Sequence, residues 1–412
     1  MKIRSITYFD DLKWLPNPHR LDQARRFITA ARKAYQDGGF EVQTTRLATP
    51  PFPQILKEQT NSDAVPYAKM LEEELTDDGF DYVSIGPAIP EFPESYTLIP
   101  EILTNTQNVF VAGIISSGQH GIVMDAIKAC AAVINQIAGI TADGFANLRF
   151  AALANVPPGA PFFPAAYHDE HEKPAFAIAT EAADIAVAAI SQASSLEEAR
   201  GKLIDSIETQ AGRLTTLGIS LAESHGLQFT GIDFTLAPYP QFEQSIGTAI
   251  ERLGVPKFGE HGSLAAVAIL ADALDQAHYP KVGFNGVMLP LLEDILLAKR
   301  AVEGRLEIID LLLYSTVCGT GLDTIPLPGD VSEEQLFAIL LDLAALAQRL
   351  NKPLTARLMP IPGKRAGNPT EFEFEYFANS RVMELKAQPL SGLLAGDEHY
   401  KLKSRTSSQE DK

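Results

Sequence analysis

The stretch LLLYSTVCGTGLDTIPLPGD, residues 311–330, decides how the chain is read. It continues an apolar run, residues 308–317, whose length and composition suit a fully buried strand. The run stops at Cys318, and Gly319 and Gly321 remove side chains from two of the next three positions. Glycine there lets the backbone turn tightly and come close to a bound group. Asp323 follows, and Pro326 and Pro328 stiffen the exit. The expectation is a core strand ending in a short rigid loop that mounts a thiol and a carboxylate, a common placement for reactive groups. The plain alternative is a tight turn over a buried, inert cysteine.

Outward from this stretch, strand-like and helix-like segments alternate. Strand patterns fall at residues 3–9, 40–47, 82–85, 108–114, 149–154, 176–179, 227–234 and 355–360. Helical periodicity marks 21–36, 64–75, 121–137, 181–193, 196–224, 242–253, 264–276, 289–302 and 333–350. Asp37-Gly38-Gly39 is a helix stop, Asp77 and Asp78 extend the acidic end of another helix, and Ser332 is a cap before the last one. This alternation predicts an α/β fold with mainly parallel strands. Residues 1–396 are expected to form a single domain, and 397–412, ending KSRTSSQEDK, a disordered tail.

Bulk properties exclude some partners. Of the 412 residues 46% are hydrophobic, enough for a sizeable core, and the net charge is −18. Phosphate backbones and anionic membranes are bound through clustered Lys and Arg, so nucleic acid and membrane are not expected partners. Cys130 and Cys318 are the only cysteines and form neither a disulfide framework nor a metal-type spacing. Met1-Lys2-Ile3-Arg4 leads straight into a strand pattern without a signal peptide, and no apolar run has the length of a membrane span. A cytoplasmic protein is expected, with homo-oligomerisation left open.

Three constellations could carry chemistry. In residues 154–168, Pro157-Pro158-Gly159, Pro161 and Pro164 make a rigid irregular loop. Phe162 and Phe163 there can wall a pocket, Asn155 opens the loop, and Tyr167-His168 close it. His168 is placed to act as general base or metal ligand, while His171 reads as solvent-exposed. In residues 356–367 Arg357 ends a strand pattern, and Lys364-Arg365 lie in a glycine-flanked loop, the best candidate for an anion site in an acidic chain. Asp233 sits among apolar neighbours and needs a partner, and Asn285-Gly286 precedes the acidic pair Glu293-Asp294. Glu260-His261 and Glu181-Asp184 are placed as helix-capping and dipole-stabilising groups. Carboxylates are plentiful enough that a divalent cation stays open, although no spacing fixes one.

Four stretches carry a family resemblance: CGTGLDTIPLPGD (318–330), ANVPPGAPFFPAAYH (154–168), GFNGVMLPLLED (283–294) and ARLMPIPGKRAG (356–367). Across residues 148–367 the chain resembles the uncharacterised family called domain of unknown function 711. The resemblance implies a single large α/β barrel of the kind found in pyruvate formate-lyase and the glycyl-radical enzymes. Those enzymes carry a glycine near the C-terminus in an Arg-Val-x-Gly-Tyr-like setting. Here Arg381-Val382-Met383-Glu384-Leu385 has no such glycine, so shared fold does not bring radical chemistry with it.

The expected function is an enzyme acting on a small anionic metabolite at the strand ends of the barrel. Cys318, Asp323 and His168 would supply non-radical acid–base or nucleophilic chemistry. Asn155, Asp233, Asn285, Arg357 and Lys364 would bind the substrate. The alternative is a non-catalytic sensor or binding protein using the same pocket. The loops bearing Asn155, Cys318, Arg357 and Lys364 are expected to converge on one pocket, since α/β sheets bind ligands at strand ends.

Overall fold

In the computed structural model, which describes residues 1–14, 16–57, 59–60, 63–76, 79–170 and 172–405, the strands join in one eleven-stranded sheet. They are β1 (Lys2–Phe9), β2 (Val42–Ala48), β3 (Tyr82–Ala88), β4 (Val109–Ser117), β5 (Gly121–Val123), β6 (Phe150–Ala154), β7 (Ala175–Glu181), β8 (Gln228–Asp233), β9 (Gly321–Pro328), β10 (Leu354–Ile361) and β11 (His399–Tyr400). Nine follow the path β8-β7-β1-β2-β3-β4-β6-β10-β9, with β5 attached to β4 and β11 to β5. Neighbours on the path run parallel except β7–β1 and β6–β10, which are antiparallel. A mixed α/β fold dominated by parallel strands is therefore borne out.

Helices α1 (Pro18–Asp37), α2 (Phe52–Ile55), α3 (Ala64–Thr76), α4 (Ser95–Asn105), α5 (Met124–Ala138), α6 (Ala183–Ser191), α7 (Leu196–His225), α8 (Ile246–Arg252), α9 (Ser263–Gln276), α10 (Ile295–Val302), α11 (Ile308–Tyr314) and α12 (Glu333–Leu350) connect the strands. Their ends follow local chemistry. Ser332 and Gln335 form a reciprocal capping box that opens α12, and Asn351 closes it in the left-handed conformation. The apolar stripe of α12, including Leu336, Leu340, Leu343 and Ala347, is buried in the main core with Ile6 and Tyr8 of β1.

The other face of the sheet is filled differently. Residues 156–168 run across it, and their backbone carbonyls are met by short hydroxyl side chains of the strands. Ser5 and Thr7 of β1 each donate to Pro161 O at 3.2 Å, and Ser84 of β3 donates to Ala166 O at 2.7 Å. Phe162 and Tyr167 pack with Ala151 and Leu153 of β6, and Phe163 with Phe9, Ala48 and Phe110. A loop with four prolines has few N–H groups but all its carbonyls, so serine and threonine opposite it satisfy what would otherwise be buried and unpaired.

Several expectations are corrected. Residues 308–317 are not a strand: α11 occupies Ile308–Tyr314. Glu307 and Asp310 form a capping box at its start, and burial is one-sided, with Ile308, Leu311, Leu312 and Tyr314 inside but Ile309 61% and Leu313 50% exposed. The strand comes after the glycines, as β9, so Asp323 lies within a strand and not in a loop. Pro326 and Pro328 are tolerated because β9 is the last strand of the path and forms a ladder with β10, while its other side carries the isolated bridge at Asp323. The helix expected over 289–302 begins only at Ile295, and β5 precedes the helix expected from 121. Helix α4 was not anticipated, because Pro100 within it breaks the pattern.

The barrel does not close. Between the end strands β8 and β9 lie residues 281–290, which among the described residues form no ladder with either. They meet their neighbours through the isolated bridges Ile232–Lys281, Leu236–Val287 and Pro290–Asp323 and through hydrogen bonds to Asp233. Proline at 280 and 290, Gly283 and Asn285 with positive φ keep this segment from forming a ladder. In the segment expected to be a tail, β11 pairs antiparallel with β5, and Arg405 N–H donates to Arg349 O at 3.1 Å. Residues 406–412, Asp77, Asp78 and His171 lie outside the described residues. Among the described residues no helix is long and apolar enough to cross a membrane.

Candidate functional site

Beside the ring of Phe163 a cavity of about 70 Å³ remains, lined by charged side chains from strands that are distant in sequence. Arg4 comes from β1, Arg46 from β2, Glu181 from the end of β7 and Arg357 from the middle of β10. Glu293 follows the bridge at Pro290, and Tyr239 follows β8. The cavity lies toward the amino ends of β1 to β4, since Tyr82 and Phe110 at the starts of β3 and β4 also line it. Ligands of open α/β sheets usually sit at carboxyl ends. Here β7 alone among these strands contributes its carboxyl end, because it runs antiparallel to β1.

One carboxylate organises three of the charges. Arg357 donates from Nη2 to Glu293 Oε1 at 2.9 Å and from Nε to Asp323 Oδ1 at 2.6 Å. The other oxygen of Glu293 accepts from Arg4 Nη2. Buried charges persist only when paired in this way. Burial works to raise Glu293, yet Arg4 and Arg357 outweigh it and hold the carboxyl below its ordinary range. Burial likewise opposes the charge on Arg4, which Glu293 and Glu181 hold above its ordinary value. Asp323 moves the other way: burial raises it despite Arg357, and its Oδ2 has no hydrogen-bond partner among the described residues.

Two further groups face the cavity without an ionic partner among the described residues. Arg46 donates from Nε to Thr44 Oγ1 at 2.9 Å, and its guanidinium lies 5.0 Å from the Phe163 ring and 5.9 Å from the Tyr82 ring. Burial, then repulsion from Arg4, push it down to about 9. It is still a cation at neutral pH, but a destabilised one. Glu181 is 4% exposed; its Oε2 accepts from Gln43 Nε2 at 2.7 Å and its Oε1 has no partner. Burial raises it to about 7 against the pull of Arg4. Burial raises two of the three carboxylates, Glu181 and Asp323, so the three arginines bias the site toward positive charge in an acidic protein.

Of the residues expected from sequence, Arg357 lines the cavity and Asp323 stands directly behind it. The others lie elsewhere. Cys318 is 2% exposed, and its carbonyl accepts from Lys352 Nζ. His168 is buried with its ring 6.2 Å from that of Phe9; its backbone N–H donates to Thr49 O, and burial lowers its pKa. Asn155 donates to Ala347 O at 2.9 Å and accepts from Gln348 at 2.7 Å. Asp233 accepts from the N–H groups of Phe284 (3.0 Å) and Asn285 (2.9 Å) and from Thr235 Oγ1, which satisfies the carboxylate as a loop anchor. Asn285 accepts from Phe234 N–H at 3.0 Å and Tyr279 OH at 2.9 Å. Lys364, which is partly exposed, donates to Pro369 O and pairs with Glu371 at 2.5 Å.

The expected convergence of loops is therefore corrected. Asn155 adjoins the Ala154–Leu354 pair at one end of β10, and Lys364 lies beyond Ile361 at the other. Seven extended steps put these ends roughly 23 Å apart. Arg4 and Arg46 were not anticipated, and Glu181 and Glu293 were noted only as helix-end or acidic-pair carboxylates. The available signal was a lone arginine inside each of two β-branched strands, IRSITYF and VQTTRLA. Among the described residues no group of three His, Cys, Asp or Glu comes together as cation ligands.

Comparisons with known proteins place these residues in a family. The sequence profile described as Uncharacterised ACR (DUF711) matches residues 1–379. A UPF0210 protein of Pyrobaculum arsenaticum is 30% identical over 381 residues, which cover 87% of this chain and 81% of the relative. A UPF0210 protein of Sulfurisphaera tokodaii is 31% identical over 363 residues, covering 83% and 80%. Another, from Acetivibrio thermocellus, is 29% identical over 371 residues, covering 85% and 80%. The matched region includes every charged residue of the cavity, and the chain belongs to the uncharacterised DUF711 family.

Proposed function

We propose that the chain is an enzyme that binds a small oxyanion, a carboxylate or phosphoryl group, in the cavity between β1, β2 and β10. The observation that carries this is Arg46, a buried guanidinium facing the cavity with no carboxylate partner among the described residues. An unpaired buried cation costs several kcal/mol, and a bound anion offsets that cost. Arg4 adds to the field but is already engaged with Glu293. A cavity of about 70 Å³ suits a ligand of few atoms, or the anionic head of a longer one. Glu181 and Asp323, both raised by burial, are the groups available for non-radical acid–base steps. The single bridges on either side of residues 281–290 support reading the open sheet as a distant form of the barrel that the sequence resemblance implies.

A second reading, a sensor that binds the same anion without turnover, is favoured by one observation. Neither Cys318 nor His168 lines the cavity, so among the described residues its wall offers carboxyl and phenol groups but no thiol or imidazole. Calorimetric titration of the full chain with oxalate and with sulfate tests the shared core of both readings. Binding is expected for the wild type, weakened roughly 10- to 100-fold in Arg46→Ala, as the loss of a charge-assisted contact implies. Equal affinity in the two proteins would overturn it. A screen of small carboxylates and phosphate esters for product formation then separates enzyme from sensor.

A further inference from the structure

We propose that Glu181 binds the oxyanion as a carboxylic acid, donating a hydrogen bond from Oε1, so that the cavity takes up one proton with each anion. This rests on the oxyanion reading of the cavity and extends it to the form of the ligand. The two oxygens of Glu181 have different surroundings. Oε2 accepts from Gln43 Nε2 at 2.7 Å, so that oxygen is held as an acceptor. Oε1 is buried and has neither donor nor acceptor opposite it among the described residues, while the side chain lines the cavity that Arg46 also faces. A proton on the carboxyl therefore sits on Oε1, which has no acceptor among the described residues, so a molecule bound beside this side chain would supply one. As a carboxylate, Oε1 would repel an entering anion across a poorly screened space. As an acid it supplies the hydrogen-bond donor that the ligand's second oxygen needs.

The groups facing Glu181 leave the proton change to it. They are Lys2 and Arg4 of β1, Gln43 of β2, Tyr239 after β8, and Glu293. Burial opposes the charge of Lys2, but Glu41 and Glu181 hold its pKa above the usual value; Arg4 is held up in the same way by Glu293. Glu293 is held down by Arg4 and Arg357 against burial, while burial lifts Glu181 to about 7. The ligand so defined presents at least two acceptor oxygens, one for Arg46 and one for Glu181, and no donor between them. Carboxylates, oxalate-like diacids and sulfate or phosphate groups belong to this class; amines do not.

The test is titration of the full chain with oxalate, which does not titrate near neutrality, at about pH 6 and pH 8 in buffers of different ionisation enthalpy. Uptake of close to one proton is expected at pH 8, with affinity roughly tenfold tighter at pH 6, as a carboxyl protonated on binding requires. In Glu181→Gln, whose amide donates without titrating, oxalate binding is expected to lose both the proton uptake and the pH slope. Oxalate binding without proton uptake would overturn the inference and leave the oxyanion reading standing. So would uptake that persists in Glu181→Gln, since the proton would then belong to another group, with Asp323 the next to test. If neither oxalate nor sulfate binds the wild type at either pH, the oxyanion reading itself falls. Should the variant fail to fold, the wild-type proton count alone decides.

Discussion

Arg4 and Arg357 grip opposite oxygens of one carboxylate, Glu293, although their strands stand third and eighth in the nine-strand path. The contact draws the two sides of the sheet together across its inner face. It also explains why residues 281–290, with no ladder of their own, hold a fixed place: Glu293, just beyond them, is clamped from both sides.

Glu293→Gln should therefore be severely destabilising. It leaves two buried guanidinium groups near one another with Asp323 as the remaining carboxylate of the network. Breaking a buried ion pair by removing one partner costs about 3–5 kcal/mol. Urea denaturation measures this, and a loss below about 1 kcal/mol would mean the network is wetter than its burial suggests.

Arg46 and Arg357 should separate in their effects. Arg357→Ala strips Asp323 and Glu293 of a buried partner, so its first consequence is a loss of stability, on the order of 3 kcal/mol. Arg46→Ala removes a cation that has no ionic partner among the described residues and is itself destabilised, so the melting temperature should hold or rise while oxalate binding falls. Thermal melts and calorimetry on both variants decide; a reversed pattern would move the anchor from Arg46 to Arg357.

Much of the fold was legible in the sequence, and the reasons are local. Strands such as Lys2–Phe9 and helices such as Leu196–His225 carry their period along their length, and Gly38 and Ser332 mark ends by cap chemistry. The run at 308–317 misled because a short apolar segment fits a strand or a helix equally well, and the deciding signal was the Glu307–Asp310 box beside it. The site was less legible. Glycine-rich motifs drew attention to Cys318 and Asn155, whose conformations serve crossings and turns, whereas Arg4, Arg46 and Glu293 meet only through sheet order. Arg357 was singled out with Lys364 and Arg365 as basic residues in an acidic chain, and its burial between Asp323 and Glu293 is what sets it apart from those two.

Stability should fall as pH rises from about 4.5 to about 7 through Glu181 alone. Its folded-state pKa is raised above the ordinary 4.5, so in that window the native protein binds the extra proton and unfolding releases it. The contribution is fully present below 4.5 and lost by about 7, and a shift of this size is worth on the order of 3 kcal/mol. Glu181→Gln removes the titration, so it should be the more stable protein at about pH 8, with the advantage vanishing toward pH 4. Melting curves of the two proteins across that range check the sign.

Cys318 should behave as a packed group and not as a nucleophile. It is 2% exposed, its N–H donates to Tyr314 O at 2.7 Å, and Lys352 holds its carbonyl. The next residue, Gly319, lies against Gly286 so closely that a Cβ on either would overlap the other's backbone, which explains the glycine without invoking a ligand. Cys130 is fully buried in α5, where burial pushes its thiol up. Both cysteines should thus resist iodoacetamide until denaturant is added, read by mass spectrometry. Cys318→Ser buries a more strongly polar hydroxyl in an apolar setting and should cost about 1–3 kcal/mol, with oxalate binding retained. Gly319→Ala should cost at least as much, since backbone and not a flexible side chain stands in the way. Rapid labelling of Cys318 in the folded protein, slowed by oxalate, would instead place the thiol in communication with the cavity.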